Sequence, residues 1–181
     1  NKTLTIQGST GNREDVVIDG MNLVVGLWID GAGADGSVIR HLTVRNGRGP
    51  TASNSSGAGL RIIGADVTLR NCLIEDNHLP SSDGNRAGIY ASQGNITIDD
   101  CLIRNNTIDS LRGDGGGVYF NGGSHAIART MFSGNGVEPA LSPNDGSIGG
   151  AIYADSGAMG LAGWVIQGNR EGLGGGMGVT G

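Results

Sequence analysis

The chain has 181 residues, with 36 glycines, 4% aromatic residues and a formal net charge of -5 from 12 Lys+Arg against 17 Asp+Glu. The acidic balance argues against a nucleic-acid or anionic-membrane surface. No apolar run spans a bilayer as a helix, even with Gly26 allowed inside Leu23 to Ile29, and the length suits one elongated domain.

The chain opens on a strand pattern, Leu4-Thr5-Ile6-Gln7, with no leader ahead of it. Val16-Val17-Ile18-Asp19-Gly20 reads as a second strand and its turn. Gly26-Leu27-Trp28-Ile29 reads as another. Ser37 to Gly47 aligns with residues 67–77 at an offset of 30, with Gly47 in place of an Asn. Residues 1–47 are therefore expected to form irregular first coils, and 48–181 the regular repeats of a single domain over 1–181. The last segment, Gly175-Gly176-Met177-Gly178-Val179, begins a further strand of the same type. The expectation is a processed chain or a fragment of a longer protein.

From residue 59 the repeat is explicit. Leu60, Ile89, Val118 and Ile152 are separated by 29, 29 and 34 residues. Twelve residues after each come Cys72, Cys101, Thr130 and Trp164, and five later Asn77, Asn106, Asn135 and Asn169. Within the unit, Val67-Thr68-Leu69-Arg70 and Ile96-Thr97-Ile98-Asp99 alternate with period two, which is a strand pattern. No helical period is sustained. Units near 30 residues that cannot bury their own apolar faces must stack. The fold class expected is an all-β parallel β-helix, about 29–34 residues and three strands per coil. Pro50, Pro80, Pro139 and Pro143 all fall between the Asn position and the next first strand. That third turn is outside the ladders, where proline and length variation are tolerated.

Strand parity assigns the columns. Leu60, Ile89, Val118 and Ile152 point inward, and Trp28, Arg61, Tyr90, Tyr119 and Tyr153 point outward. The outward column reads as an aromatic ladder or as a sugar-binding stripe. In the third strand, Leu73, Leu102, Met131 and Val165 point outward after Thr43, as an apolar stripe suited to assembly. Arg40, Arg70 and Asp99, and Arg45, Glu75 and Arg104, form outward charged columns that favour register. Asn77, Asn106, Asn135 and Asn169 read as a turn ladder, with Asn itself tolerating the left-handed backbone. Cys72 and Cys101 share one inward position in successive coils. Their parallel Cβ vectors suit stacked thiols better than a disulfide.

Gly-Gly-Ala-Ile-Tyr at 149–153 and Phe-Ser-Gly-Asn at 132–135 resemble the two short repeat motifs of bacterial polymorphic outer-membrane proteins and of related β-helix surface proteins. Leu-Thr-Ile-Gln-Gly followed by Val-Ile-Asp-Gly is similar to the first coil of such proteins. Ile74, Ile103 and Ile166 depart from the Phe that the family often carries. The resemblance implies right-handed coils and a secreted or cell-surface module acting in adhesion or structural assembly. The alternatives are a carbohydrate-binding or polysaccharide-processing β-helix using the aromatic column, and a self-assembling filament or surface-layer subunit. Protein partners or self-association through open coil ends are expected, and glycans in the second reading.

No cofactor motif, metal set or catalytic constellation is read from the sequence. Asp99-Asp100 is an adjacent acidic pair in a strand region, and parity points its members to opposite faces. His41, His78 and His125 fall in different contexts, and no Ser/His/Asp set emerges. The Asp-Gly pairs at 83–84, 114–115 and 145–146 read as turns before calcium ligands. Arg112-Gly113-Asp114 and the sequons at Asn1, Asn54, Asn95 and Asn105 carry no assignment.

Overall fold

The structure, a computed structural model, describes residues 2–49, 57–80, 88–109, 114–137, 149–170 and 175–180. The described chain winds into a parallel β-helix. Its first sheet stacks Leu27–Asp30, Leu60–Ile63, Ile89–Ser92, Val118–Asn121, Ile152–Ala154 and Met177–Val179. The second stacks Thr5–Gln7, Ser37–Arg40, Val67–Arg70, Ile96–Asp99, Ser124–Ala128 and Ala158–Ala162, and the third Val17–Asp19, Thr43–Arg45, Leu73–Glu75, Leu102–Arg104, Met131–Ser133 and Val165–Gln167. Every strand pairing is parallel, with register set by the repeat: Ile89 lies opposite Leu60 and Val118, and Val118 opposite Ile152. The early segments obey the same register, since Leu27 pairs with Leu60 and Thr43 with Leu73.

A fourth sheet of two-residue strands, His78–Leu79, Thr107–Ile108 and Gly136–Val137, follows the third and adds a strand to the three expected per coil. Isolated bridges extend it from Arg48 at one side to Arg170 at the other. Leu79 and Ile108 turn inward there and form a small cluster of their own. The sole helical element among the described residues is a single turn, Ala32–Ala34.

The interior is filled by the inward columns. Leu60, Ile89, Val118 and Ile152 are fully buried, as are Ile74, Ile103 and Phe132 of the third sheet. Burying each such side chain stabilises by about 1.5–3 kcal/mol. The bends repeat as strictly as the strands. His41, Asn71, Asp100 and Arg129 take positive φ after the second sheet, and Asn46, Asp76, Asn105, Gly134 and Gly168 after the third. The left-handed residue therefore precedes the ladder asparagine. The expectation that Asn77 and its copies adopt that backbone themselves is corrected. Asn, Asp and Gly fill seven of these nine bends because they tolerate positive φ.

Glycine at 59, 88 and 117 has a packing cause. A Cβ on Gly88 would run into the carbonyl of Gly117 in the next coil and lie 2.9 Å from Asn106 Cγ. Ala151 stands at the same repeat position, where the bonding changes. Both Ala151 and Ile152 donate to the Gly176 carbonyl, whereas Gly88 and Ile89 donate to separate carbonyls, of Gly116 and Gly117.

Candidate functional site

The aromatic column forms in the expected register, with Tyr90 paired to Arg61 and Tyr119, and Tyr119 to Tyr153. The tyrosines lie outside the core and pack as a separate cluster with Ile63. Ring centroids are 6.0 Å apart from Tyr90 to Tyr119 and 4.9 Å from Tyr119 to Tyr153, with the rings tilted. Their expected exposure is corrected: Tyr90, Tyr119 and Tyr153 retain 8%, 4% and 7% of their surface. Burial here is not a register slip, because Leu60 and its copies still point inward. Backbone packs against the base of the column instead. A Cβ on Gly57 would lie 3.0 Å from Tyr90 Cβ, and one on Gly115 2.9 Å from Tyr119 Cβ. Only Trp28, 59% exposed, offers an open ring face in this column. The Arg61 guanidinium lies 5.1 Å from its ring centroid and 5.8 Å from that of Tyr90. A shallow groove of about 410 Å³ adjoins Trp28, lined also by Lys2, Leu4 and Asp30.

The apolar stripe is in register from Leu73 through Leu102 and Met131 to Val165. Its first half is covered, which corrects the expectation of a continuous exposed stripe. Thr43 and Leu73 are buried and Leu102 half-buried, while Met131 and Val165 are exposed beside Trp164. The cover is the loop between the first two strands. Thr43 Oγ1 donates to the Arg13 carbonyl at 2.8 Å. The Arg13 guanidinium donates to the carbonyls of Cys72 and Asp100, at 3.3 and 3.1 Å, and pairs with the Asp100 carboxylate at 3.7 Å.

The charged columns pair as their signs require. Arg104 binds Glu75 at 2.7 Å and Arg45 binds Asp19 at 3.0 Å. Asp99 is held between Arg70, at 3.4 Å, and Arg129. Asp99 and Asp100 both line one groove of about 550 Å³ with His41, Asn71, Arg70 and Arg129. The parity that set them on opposite faces fails because the strand ends at Asp99 and Asp100 is the left-handed bend. With Asp99 clasped by two guanidiniums and Asp100 bonded to Asn71 and Arg13, this groove is a charge-paired flank.

Three ladders run through the bends. Nδ2 of Asn77, Asn106 and Asn135 donates to the next asparagine at 2.8, 2.9 and 2.9 Å and also to a carbonyl of the preceding coil. A second ladder was not read from the sequence. Asp35, Asp66 and Asn95 each accept the backbone N–H one coil on, ending at Ser124. Their offsets of 31, 29 and 29 carry the signal. The third is Cys72, Cys101 and Thr130, inside. Both thiols are free and buried, as the geometry predicts. The hydrogen bond to Cys72, with burial, pushes the Cys101 thiol well up. His125 is a core histidine, stacked on Phe120 at 3.8 Å and bonded to Gly122 O, and burial holds its pKa down.

One set of polar contacts was not read from the sequence. His78 and Thr107 are register partners in the fourth sheet. His78 Nδ1 lies 3.1 Å from Thr107 Oγ1, and its Nε2 lies 3.1 Å from Asp109 Oδ2. His78 and Asp109 are each partly open, at 28% and 44% side-chain exposure. The signal was present in the repeat: Thr107 is the 29-residue copy of His78.

Among the described residues, no three His, Cys, Asp or Glu side chains gather at metal-binding spacing, and no helix is long and apolar enough to cross a membrane. Asp83-Gly84, Asp145-Gly146, Arg112-Gly113 and the sequons at Asn1 and Asn54 lie outside the described residues. The family model described as "Right handed beta helix region" matches residues 4–161. No curated protein and no solved structure matches the chain significantly.

Proposed function

The chain belongs to the right-handed β-helix family, and from that premise we propose that it is a secreted or cell-surface module working by adhesion or assembly through its flanks. The observation that carries this reading is the emergence of Met131, Val165 and Trp164, 37%, 46% and 39% exposed, from beneath the Arg13 loop. The neighbouring columns are ion-paired or hydrogen-bonded, so an apolar outcrop on them marks a contact surface. The resemblance of residues 132–135 and 149–153 to the repeats of polymorphic outer-membrane proteins supports display outside the cell. The partner in this reading is another protein or a second copy. Sedimentation at high concentration tests it. Wild type should associate, and Met131→Thr with Val165→Thr should weaken association while leaving the melting temperature nearly unchanged. A monomeric wild type that the double variant matches excludes self-association, and filaments in electron micrographs would assign end-to-end growth.

A second reading, glycan binding, rests on Trp28 alone. Its open ring, the Arg61 donor beside it and the adjoining groove suit one pyranose stacked on the indole. Binding on a glycan array should be lost in Trp28→Ala and kept in Tyr119→Phe. Equal retention in both would remove this reading.

A further inference from the structure

We propose that Thr107, His78 and Asp109 form a small acyl-transfer centre that hydrolyses esters at the foot of the third turn. The relay is built by the solenoid itself. The 29-residue step puts Thr107 one rung beyond His78 on the same outward face, and Asp109 follows two residues later. A strand side chain two residues on returns to the same face, so Asp109 reaches the far nitrogen of the imidazole.

The contacts set the chemistry. Asp109 Oδ2 lies 3.1 Å from His78 Nε2, and a carboxylate there favours the proton on that nitrogen, which leaves the Nδ1 lone pair facing Thr107. Thr107 Oγ1 at 3.1 Å is within reach for proton transfer to that lone pair. A hydroxyl in hydrogen-bond reach of a base, and a carboxylate in ion-pair contact with that base, are the parts of an activated nucleophile. Nitrogen roles are exchanged relative to the usual serine triad, in which Nε2 faces the hydroxyl. Thr107 and His78 are half-buried, so a small ester reaches both.

The step balances as follows. Thr107 Oγ1 bonds to the ester carbonyl carbon as its proton passes to His78 Nδ1. The carbon–oxygen bond to the leaving alcohol breaks, and His78 returns the proton to that alcohol. Water then attacks the acyl-threonine with His78 again as base, which releases the acid and restores the hydroxyl. Asp109 is a positioning residue.

The purified chain is incubated with a fluorophosphonate probe and, separately, with p-nitrophenyl acetate, and the modified peptide is mapped by mass spectrometry. A single adduct on Thr107 is expected. His78→Gln should slow labelling by about 100-fold or more, and Thr107→Val, which keeps shape and strand propensity, should abolish it. Thr107→Ser should retain it. Asp109→Asn should lower the rate and alter its pH profile, a readout that a purely structural ion pair would not move. Wild type labelling no faster than Thr107→Val, or an adduct elsewhere, overturns the proposal. Unchanged circular dichroism and melting in the variants separate loss of chemistry from loss of fold.

Discussion

Asn106 carries more hydrogen bonds than any size or charge argument would assign it. It donates to Ile74 O at 3.0 Å and to Asn135 Oδ1 at 2.9 Å, and it accepts from Asn77 Nδ2 at 2.8 Å. Its own surface and those of Asn77 and Asn135 are fully buried. Asn106→Ala removes the side-chain partners of Ile74 O and of the Asn77 N–H, while Asn77 Nδ2 keeps Val44 O and Asn135 Oδ1 keeps the backbone N–H of residue 106. Each such loss costs about 1–3 kcal/mol, so the variant should lose about 2 kcal/mol or more by urea unfolding. Asn169→Ala, where the ladder is partly open to water, should lose about 1 kcal/mol by the same measurement. The ladder was legible because identical residues recur at fixed offsets. The backbone conformation under it was not, because the left-handed residue one place earlier is Asp, Asn or Gly by turn. The His78–Thr107 pair went unread for a related reason. Both are copies of one position, but their identities differ, so a search for repeated residue types passes over them.

At the scale of the strand, parity decides which face a residue takes and the surroundings decide whether that face is wet. Alternation placed every inward column correctly, from Leu60 to Ile152. It could not show that the tyrosines are buried, or that a loop from the first coil covers Leu73. The Arg13 loop occurs once, so no repeat encodes it. Glycine before the first strands at Leu60, Ile89 and Val118 is the complementary case, since the repeat preserves it there for a steric reason. Gly88→Ala would force a methyl group against the Gly117 carbonyl and the Asn106 side chain, both parts of rigid ladders. Overpacking at a site that cannot relax costs about 3 kcal/mol, and the urea midpoint should fall accordingly. Ala151→Gly, where an alanine already fits, should change stability by less than about 1 kcal/mol. Equal effects at the two positions would show that the close approach at Gly88 relaxes without cost.

In the whole molecule, each coil contacts chiefly its neighbours, so stability should spread along the stack as a sum of nearest-neighbour terms. Arg13 departs from that rule. From the first coil its guanidinium reaches carbonyls at Cys72 and Asp100, residues 59 and 87 positions further along the chain, and so passes over the Ser37–Arg45 coil, which Arg13 meets through its own carbonyl at Thr43. Its guanidinium holds a loop across the third sheet and shelters Thr43 and Leu73 as well. Removing it should act locally, because every ladder bond beneath it survives. The Asp100 pair is partly solvated and screened, so the global loss in Arg13→Ala should be about 1 kcal/mol. Hydrogen exchange is the discriminating measurement. Amides of Thr5–Gln7, Val17–Asp19 and Thr43–Arg45 should exchange faster in Arg13→Ala, while those of Leu102–Arg104 and Met131–Ser133 keep their protection. The lifted loop should also uncover Leu73, joining it to Leu102, Met131 and Val165 as one apolar strip. If that strip is the assembly surface, Arg13→Ala should associate more strongly than wild type in sedimentation, and adding Leu73→Thr should reverse the gain. Uniformly faster exchange along the whole chain would instead mean that Arg13 stabilises the stack globally and that the loop is no independent cover.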